Sequence, residues 1–164
     1  MKPEEYEIMF RVEDGHWWYA GLRALLHQFW GRYVRVPEPQ VLDVGCGTGA
    51  ILDRLGEDAQ AAGVDFALEA IRFCRTRGIG RSAVASALAL PFDANGFDVV
   101  VSFDVLCHSS IPDKHVAMRE LYRVVKPGGL LLLNLPAYHW VRSSHDVAVH
   151  TDHRFTKREV VDLL

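Results

Sequence analysis

The sequence has no long apolar run, no closely paired cysteines and no block of like charge. An apolar stretch such as residues 130–133 is far too short to cross a bilayer, and residues 1–6 are polar and acidic, unlike an export signal. The three cysteines, Cys46, Cys74 and Cys107, are widely spaced, which argues against a disulfide framework and favours a reducing, cytoplasmic location. The formal net charge is only −3, so neither nucleic acid nor a membrane is expected as a partner.

Apolar residues make up 49% of the 164 positions, enough for the core of one domain. Short apolar runs alternate with amphipathic stretches, which is the pattern of an α/β protein whose helices cover a parallel sheet. The predicted strands are residues 41–44, a short strand ending at 64–65, a weak one near 83–84, the apolar run 97–103, and 130–135. The predicted helices are residues 15–34, 50–55, 67–77, and one that begins near residue 112 and is broken by residues 127–129.

The domain is expected to have three parts. Residues 1–36 would form an N-terminal helical cap and residues 37–136 the core of strands and helices. Residues 137–164 would form a long, histidine-rich loop on the substrate side, followed by the start of a further helix.

The glycine-rich turn after the first predicted strand is the most informative segment. Asp43 lies at the end of the strand, and Gly45, Gly47 and Gly49 follow at every second position before a helix begins. Glycine lets a ligand approach the backbone, and Asp65, at the end of the next strand, is placed to accept hydrogen bonds from ribose hydroxyls. The glycines could serve only a tight turn. However, Asp43 suits an ammonium group and would repel a pyrophosphate, so the segment favours an amino acid joined to a nucleoside.

Five segments, in order, resemble the class I (Rossmann-like) S-adenosylmethionine-dependent methyltransferases of the type 11/12 kind. They are residues 41–49, 63–66, 90–100, 104–108 and 120–129. Residues 16–19 and Arg23 also resemble an N-terminal segment of one methyltransferase subgroup. The resemblance implies a doubly wound, mostly parallel sheet in the order 3-2-1-4-5, with helices on both faces.

The resemblance also implies S-adenosylmethionine as the cofactor and S-adenosylhomocysteine as the product. The residues that it implies around the cofactor are Asp43, Gly45, Cys46, Gly47 and Gly49 at the methionine part, Asp65 at the ribose, Phe66, Ser86, Ala87 and Leu88 at the adenine, and Phe103 and Asp104 towards the methyl acceptor. Arg23 is a further candidate, placed to reach the methionine carboxylate.

Two features depart from the family pattern. The family has an acid where Ser86 stands, and a neutral hydroxyl accepts a weaker hydrogen bond than a carboxylate, so modest cofactor affinity is expected. The family's sheet has seven strands, of which the last two form a hairpin, whereas this sequence ends at Leu164 before them. We therefore expect the hairpin to be missing, and either a homodimer contact or a missing C-terminal segment to cover the sheet edge.

Transfer of a sulfonium methyl group requires alignment of the reactants and needs a general base only if the acceptor arrives protonated. His108 is the first candidate base, with substrate contact and plain packing as alternatives, and His145 is a weaker candidate. The residues expected on the acceptor side are Trp18, Tyr19, His108, Tyr138, His145 and His150. The histidines match no zinc spacing, so no metal is expected. Residues 17–19 could either pack a helix or close as a lid over the cofactor.

The function implied is methyl transfer to a small molecule by in-line displacement. Two alternatives are left open. One is a non-catalytic cofactor-binding or scaffold domain, and the other is an NAD(P)-dependent oxidoreductase, which Asp43 and residues 127–129 argue against.

Overall fold

The structure is a computed structural model that describes residues 3–164, apart from the side chains of His145 and Ala148. Within these residues, five parallel strands form one sheet in the order β3-β2-β1-β4-β5. The strands are β1 (Gln40–Val44), β2 (Gln60–Asp65), β3 (Ser82–Val84), β4 (Phe97–Phe103) and β5 (Val125–Asn134). The predicted fold class and strand order are therefore confirmed.

Helices lie on both faces of the sheet. They are α1 (Pro3–Val12), α2 (Trp17–Tyr33), α3 (Ala50–Gly56), α4 (Leu68–Thr76), α5 (Lys114–Val124), α6 (Ser144–Ala148) and α7 (Lys157–Leu163), with a 3-10 turn at His139–Val141. On one face, Leu26 of α2 packs with Val41 and Val99, and on the other, Leu121 of α5 packs with Leu42 and Val100. No helix in the described part of the chain has both the length and the apolar character needed to span a bilayer.

The two central strands explain why the sheet forms. Residues 41–42 of β1 and 99–101 of β4 are at most 1% exposed, and the two strands pair in parallel, with Val41 opposite Val99. Branched apolar side chains fit a strand that is covered on both faces. Because parallel strands end at the same edge, Val44 and Phe103 bring the segments that follow them together.

The structure differs from the prediction at the N-terminus. Residues 3–12 form α1, which lies within the expected N-terminal cap but outside the helix predicted at 15–34. Pro3 stands at the first helical position, and Glu4 and Glu5 lie in the first turn, where negative charge is favourable. The acidic residues that argued against an export signal therefore also act as a helix-start signal.

The other differences are in the C-terminal part of the chain. Val125 pairs with Phe97, and Leu130 with Val99, so residues 127–129 form an irregularity within β5 and do not precede it. The segment 138–155, predicted as a loop, contains the 3-10 turn and α6. The helix predicted after residue 156 is confirmed as α7, which starts with a capping box between Thr156 and Glu159.

Candidate active site

The glycine turn brings β1, β2 and the segment after β4 close together. Gly45 has a φ of +81° and donates its N–H to the Val64 carbonyl at 2.7 Å. A Cβ atom placed on Gly45 would lie 2.0 Å from a methyl carbon of Val105. The turn therefore needs glycine here for its positive φ and for its close approach to the loop after β4.

The next two glycines face different neighbours. A Cβ atom on Gly47 would lie 2.8 Å from the Met9 methyl group of α1, and one on Gly49 would lie 2.8 Å from Ile79. The Cys46 side chain points into the core, with its sulfur 3.9 Å from that of Cys74. The structure thus leaves only the backbone of Cys46 available at the predicted cofactor site.

Asp43 is a buried carboxyl group, only 3% exposed. It has no hydrogen bond or ion pair within the described part of the chain. Burial, together with the nearby charge of Asp65, raises the pKa of Asp43 to about 7. A buried carboxylate without a partner is unfavourable, so the position suits a cation supplied from outside the chain.

Asp65, in contrast, has several donors. One oxygen accepts from the Gly47 N–H at 2.9 Å, and the other accepts from the Ala67 N–H at 2.9 Å and from the Tyr6 hydroxyl at 3.4 Å. Burial raises the pKa of Asp65, and these hydrogen bonds oppose that rise. Asp65 is thus aimed at the glycine turn, and its binding of a ribose remains a prediction.

The residues predicted around the adenine lie beyond Asp65. Phe66 is 71% exposed, which leaves its ring free to stack. The Ser86 hydroxyl accepts a hydrogen bond from the Leu88 N–H at 3.1 Å, so it is already used in a local turn. Ala87 is buried and Leu88 is half-buried.

The ends of β4 and β5 are tied together beside the glycine turn. Phe103 ends β4, and Asp104 follows it with a φ of +57°. The Asp104 N–H donates to the Asn134 carbonyl at 2.8 Å, and the Asn134 amide donates to the Asp104 carboxylate at 2.9 Å. Burial raises the pKa of Asp104 to about 6. A carboxylate is therefore fixed at the point where the crevice opens.

The His108 loop is covered by the segment before α7. His108 pairs with Thr151, the Ser109 N–H donates to the His150 carbonyl at 3.2 Å, and the Asp152 N–H donates to the Cys107 carbonyl at 2.8 Å. Burial lowers the pKa of His108 to about 4, so its imidazole is neutral at pH 7.

The other residues predicted on the acceptor side are more exposed. Trp18 is 44% exposed, Tyr19 is half-buried, and His150 is exposed. Tyr138 stacks on Trp140, with 6.1 Å between ring centroids. The side chain of His145 lies outside the described part of the structure.

Arg23 has a partner other than the one predicted. It donates to the carbonyls of Glu13 at 2.8 Å and Asp14 at 2.9 Å, just after the end of α1. These carbonyls lack helical partners, and a guanidinium is a suitable donor for them. Within this structure Arg23 thus fixes the connection between α1 and α2.

Comparison with known proteins identifies the family. A family model described as a methyltransferase domain matches residues 42–133, which is more than half of the chain. The chain belongs to this methyltransferase family. The matched residues include Asp43, the glycine turn, Asp65 and Asp104, and S-adenosylmethionine is the cofactor of the family.

The methyltransferase domain is similar to curated proteins that act on different acceptors. It is 36% identical over 141 residues to demethylmenaquinone methyltransferase of Roseiflexus castenholzii (strain DSM 13941 / HLO8), covering 78% of this chain and 58% of that protein. It is 32% identical over 126 residues to Probable tRNA methyltransferase 9B of Mus musculus, covering 76% of this chain and 26% of that protein. The chain thus spans about a quarter of the length of the mouse relative.

Solved structures show the same fold. A SAM-dependent methyltransferase from Thermotoga maritima superposes with a TM-score of 0.74 at 23% identity, covering 98% of this chain and 74% of that one. Phosphoethanolamine N-methyltransferase 2 of Haemonchus contortus, solved with S-adenosylmethionine, superposes with a TM-score of 0.70 at 22% identity, covering 85% of this chain and 35% of that one.

The residues of the methyltransferase domain fit this cofactor. The unpartnered Asp43 carboxylate suits the ammonium group of the methionine part. A Cβ atom on Gly45 would collide with Val105 and one on Gly47 with Met9, so glycine is what allows these neighbours to lie close to the backbone of the turn.

The sequence analysis missed four residues near this site. They are Tyr6, Glu13, Arg77 and Asn134. Tyr6, Met9, Phe10 and Glu13 follow a helical spacing, which would have indicated a helix face. The partners of Arg77 and Asn134 are far away in sequence, so no local pattern indicated their roles.

Proposed function

We propose that this methyltransferase domain transfers a methyl group from S-adenosylmethionine to a small-molecule acceptor. The observation that carries the proposal is Asp43, a buried carboxylate without a partner in the described residues, beside the glycine turn and Asp65. Support for a small acceptor comes from the covered loop at 104–111, onto which residues 150–153 are hydrogen-bonded. Such a cover favours an acceptor that can be enclosed.

The bound cofactor would supply an activated methyl group, so the protein's task is alignment. Asp43 would bind the ammonium group and Asp65 the ribose, which fixes both ends of the donor. Asp104 would remain at the open end of the crevice, held by Asn134. Residues 150–153, hydrogen-bonded to residues 107–109, would exclude water from the acceptor side.

Two residues are candidates for accepting the acceptor's proton. His108, the first candidate base, has a neutral imidazole that can take a proton on a ring nitrogen. Its pKa of about 4 makes it a weak base at neutral pH. Asp104, with a pKa of about 6, is the better matched of the two for a reaction near pH 7.

Calorimetry of S-adenosylhomocysteine binding between pH 6 and 8 tests the role of Asp43. Because the cofactor ammonium group pairs with the ionised carboxylate and the pKa of Asp43 is about 7, affinity should rise about tenfold over this range. The Asp43→Asn variant should bind at least about a hundredfold more weakly, with no such dependence on pH. Asp53→Asn, at an exposed position of α3, is the control and should match the parent.

The Asp43→Asn variant also tests how much the buried carboxyl group lowers the free energy of unfolding. In the free protein, Asp43 keeps a proton between about pH 4 and 7 that the unfolded chain has lost, so stability falls as pH rises through this window. Asp43→Asn should therefore be more stable than the parent at pH 8, on the order of 2 kcal/mol by urea unfolding. Equal binding of S-adenosylhomocysteine by parent and Asp43→Asn would overturn the proposed site.

Turnover with a panel of acceptors separates the functions. Incubation with labelled S-adenosylmethionine and either small amines, phenols and quinols or unmodified tRNA shows which class receives the label. Label in tRNA alone would contradict a small acceptor. Cofactor binding without turnover on any acceptor would favour the scaffold function.

A further inference from the structure

We propose that α1 is a gate over the cofactor site, in which the Tyr6 hydroxyl binds Asp65 in the free protein and must leave before the ribose binds. This inference rests on the proposed role of Asp65. It adds Tyr6 as a residue that controls cofactor affinity and entry.

The Asp65 carboxylate can accept only a limited number of hydrogen bonds. One carboxylate oxygen accepts from the Ala67 N–H at 2.9 Å and from the Tyr6 hydroxyl at 3.4 Å, and the other accepts from the Gly47 N–H at 2.9 Å. A carboxylate has about four acceptor positions, so one is left. Two ribose hydroxyls would need two free acceptor positions. One of the three present donors must therefore leave Asp65 before the ribose binds.

Tyr6 is the donor that can withdraw. The N–H groups of Gly47 and Ala67 belong to the turns that shape the site, whereas Tyr6 belongs to a separate helix. Tyr6 is 7% exposed, so its hydroxyl occupies space that a ligand of Asp65 would use. Nearby, the Met9 side chain lies over Gly47, which places α1 across the same turn.

The other end of α1 is firmly held, which locates the pivot. The Glu13 side chain is buried and accepts hydrogen bonds from the Thr48 hydroxyl and from Arg77, the latter at 2.6 Å. Arg77 also donates to Asp14 at 3.0 Å and to the Thr48 carbonyl at 3.1 Å. Arg23 holds the Glu13 and Asp14 carbonyls.

The N-terminal half of α1 is held by fewer polar contacts. Among the described residues outside α1, its hydrogen-bond partner is Asp65, through Tyr6, whereas the stacking of Phe10 on Phe73, with 4.8 Å between ring centroids, holds the second half of the helix. The helix can therefore swing about residues 13–16, with Tyr6 moving most.

The Tyr6→Phe variant tests the gate, because it keeps the ring and removes the hydroxyl. If the hydroxyl competes with the ribose, the variant should bind S-adenosylhomocysteine about three- to tenfold more tightly, with a faster association rate. The measurements are calorimetry and stopped-flow fluorescence on the same protein samples. Tyr122→Phe, on an exposed position of α5, is the matched control and should behave as the parent.

Two contrary outcomes are distinguishable. If the parent binds S-adenosylhomocysteine and Tyr6→Phe binds it equally or more weakly, the gate is overturned while the proposed function stands. If the parent binds no S-adenosylhomocysteine at millimolar concentration, the proposed cofactor site is overturned, and the proposed gate is overturned with it. Thermal unfolding of both variants checks that each is folded before binding is compared.

Discussion

At the turn after β1, we expect one added methyl group to disrupt the proposed cofactor site. Gly45→Ala would place a Cβ atom 2.0 Å from Val105 at a φ of +81°, and we expect a loss of about 3 kcal/mol of unfolding free energy together with loss of S-adenosylhomocysteine binding. Gly78→Ala is the matched control, because Gly78 has a φ of +85° and no heavy atom within 4 Å of such a Cβ.

The Gly78→Ala control separates the cost of a positive φ from the cost of the collision with Val105. Gly78→Ala should cost only about 1 kcal/mol, from its φ alone, and should bind cofactor as the parent does. Urea unfolding and calorimetry measure both quantities. A loss at Gly45 no larger than that at Gly78 would show that the contact with Val105 is relaxed at little cost.

The residues of the site were predictable to different degrees. Asp43 and Asp65 could be predicted because each ends a strand that adjoins the glycine turn, and parallel strands end at one edge. Tyr6 could not, because its partner is Asp65, 59 residues away, and nothing in its local sequence indicates that distance. The partners of Arg23 could not be predicted either, because they are the backbone carbonyls of Glu13 and Asp14, which leave no trace in side-chain identity.

At the scale of elements, the segment 137–155 depends on one ion pair. Arg154 donates to the Asp146 carboxylate at 2.7 Å, and that side chain is 2% exposed. Arg154 holds the pKa of Asp146 at about 2. Arg154→Ala would remove the cation from a buried carboxylate and leave it only the Ser143 donors, so we expect faster hydrogen exchange in residues 138–153, with β1 and β4 still protected.

A surface pair on α7 serves as the comparison. Arg158 and Asp162 are 3.8 Å apart with both side chains largely exposed, so Arg158→Ala should leave the exchange pattern unchanged. Because the pKa of Asp146 is lowered, its contribution is present above about pH 4 and is lost as pH falls towards 2. Unchanged exchange in Arg154→Ala would show that backbone hydrogen bonds alone hold the segment.

The bounds of strands and helices could be predicted where the local sequence pattern was strong. The strand at 97–103 is placed as predicted because three consecutive valines, at 99–101, lie between Phe97 and Phe103. The start of β5 was missed because Pro127 and Gly128 are helix and strand breakers in isolation, whereas a bulge accommodates both. The helical turns in 138–155 were missed because each spans at most five residues, too few for a period to show.

At the scale of the whole molecule, cofactor binding should stabilise the fold. S-adenosylhomocysteine at about 100 times its Kd should add about 2.7 kcal/mol, which for a chain of this size raises the melting temperature by roughly 5–10 °C. NAD⁺ at the same concentration is the control and should cause no shift, since Asp43 would repel its pyrophosphate. A shift with NAD⁺ alone would favour the oxidoreductase alternative.

The parallel sheet could be predicted from the sequence, whereas the neighbour of its edge strand β5 could not. The order of the strands was implied by the resemblance to the methyltransferases, and right-handed crossovers between parallel strands are consistent with helices on both faces. Within residues 3–164, β5 pairs on one side only, with β4, and residues 130–133 are half-exposed. The sequence does not indicate which segment lies beside the unpaired edge of β5, because the residues of an edge strand do not identify its pairing partner.

The assignment of Asp43 and Asp65 has a consequence for how the catalytic cycle ends. Both carboxylates would bind groups of the cofactor, an amino acid and a ribose, that are the same before and after the methyl group departs. The spent cofactor would then keep these anchoring contacts, and its escape would be slow compared with that of the methylated acceptor. Turnover would slow as the by-product accumulates, and an enzyme that hydrolyses this by-product should restore the rate.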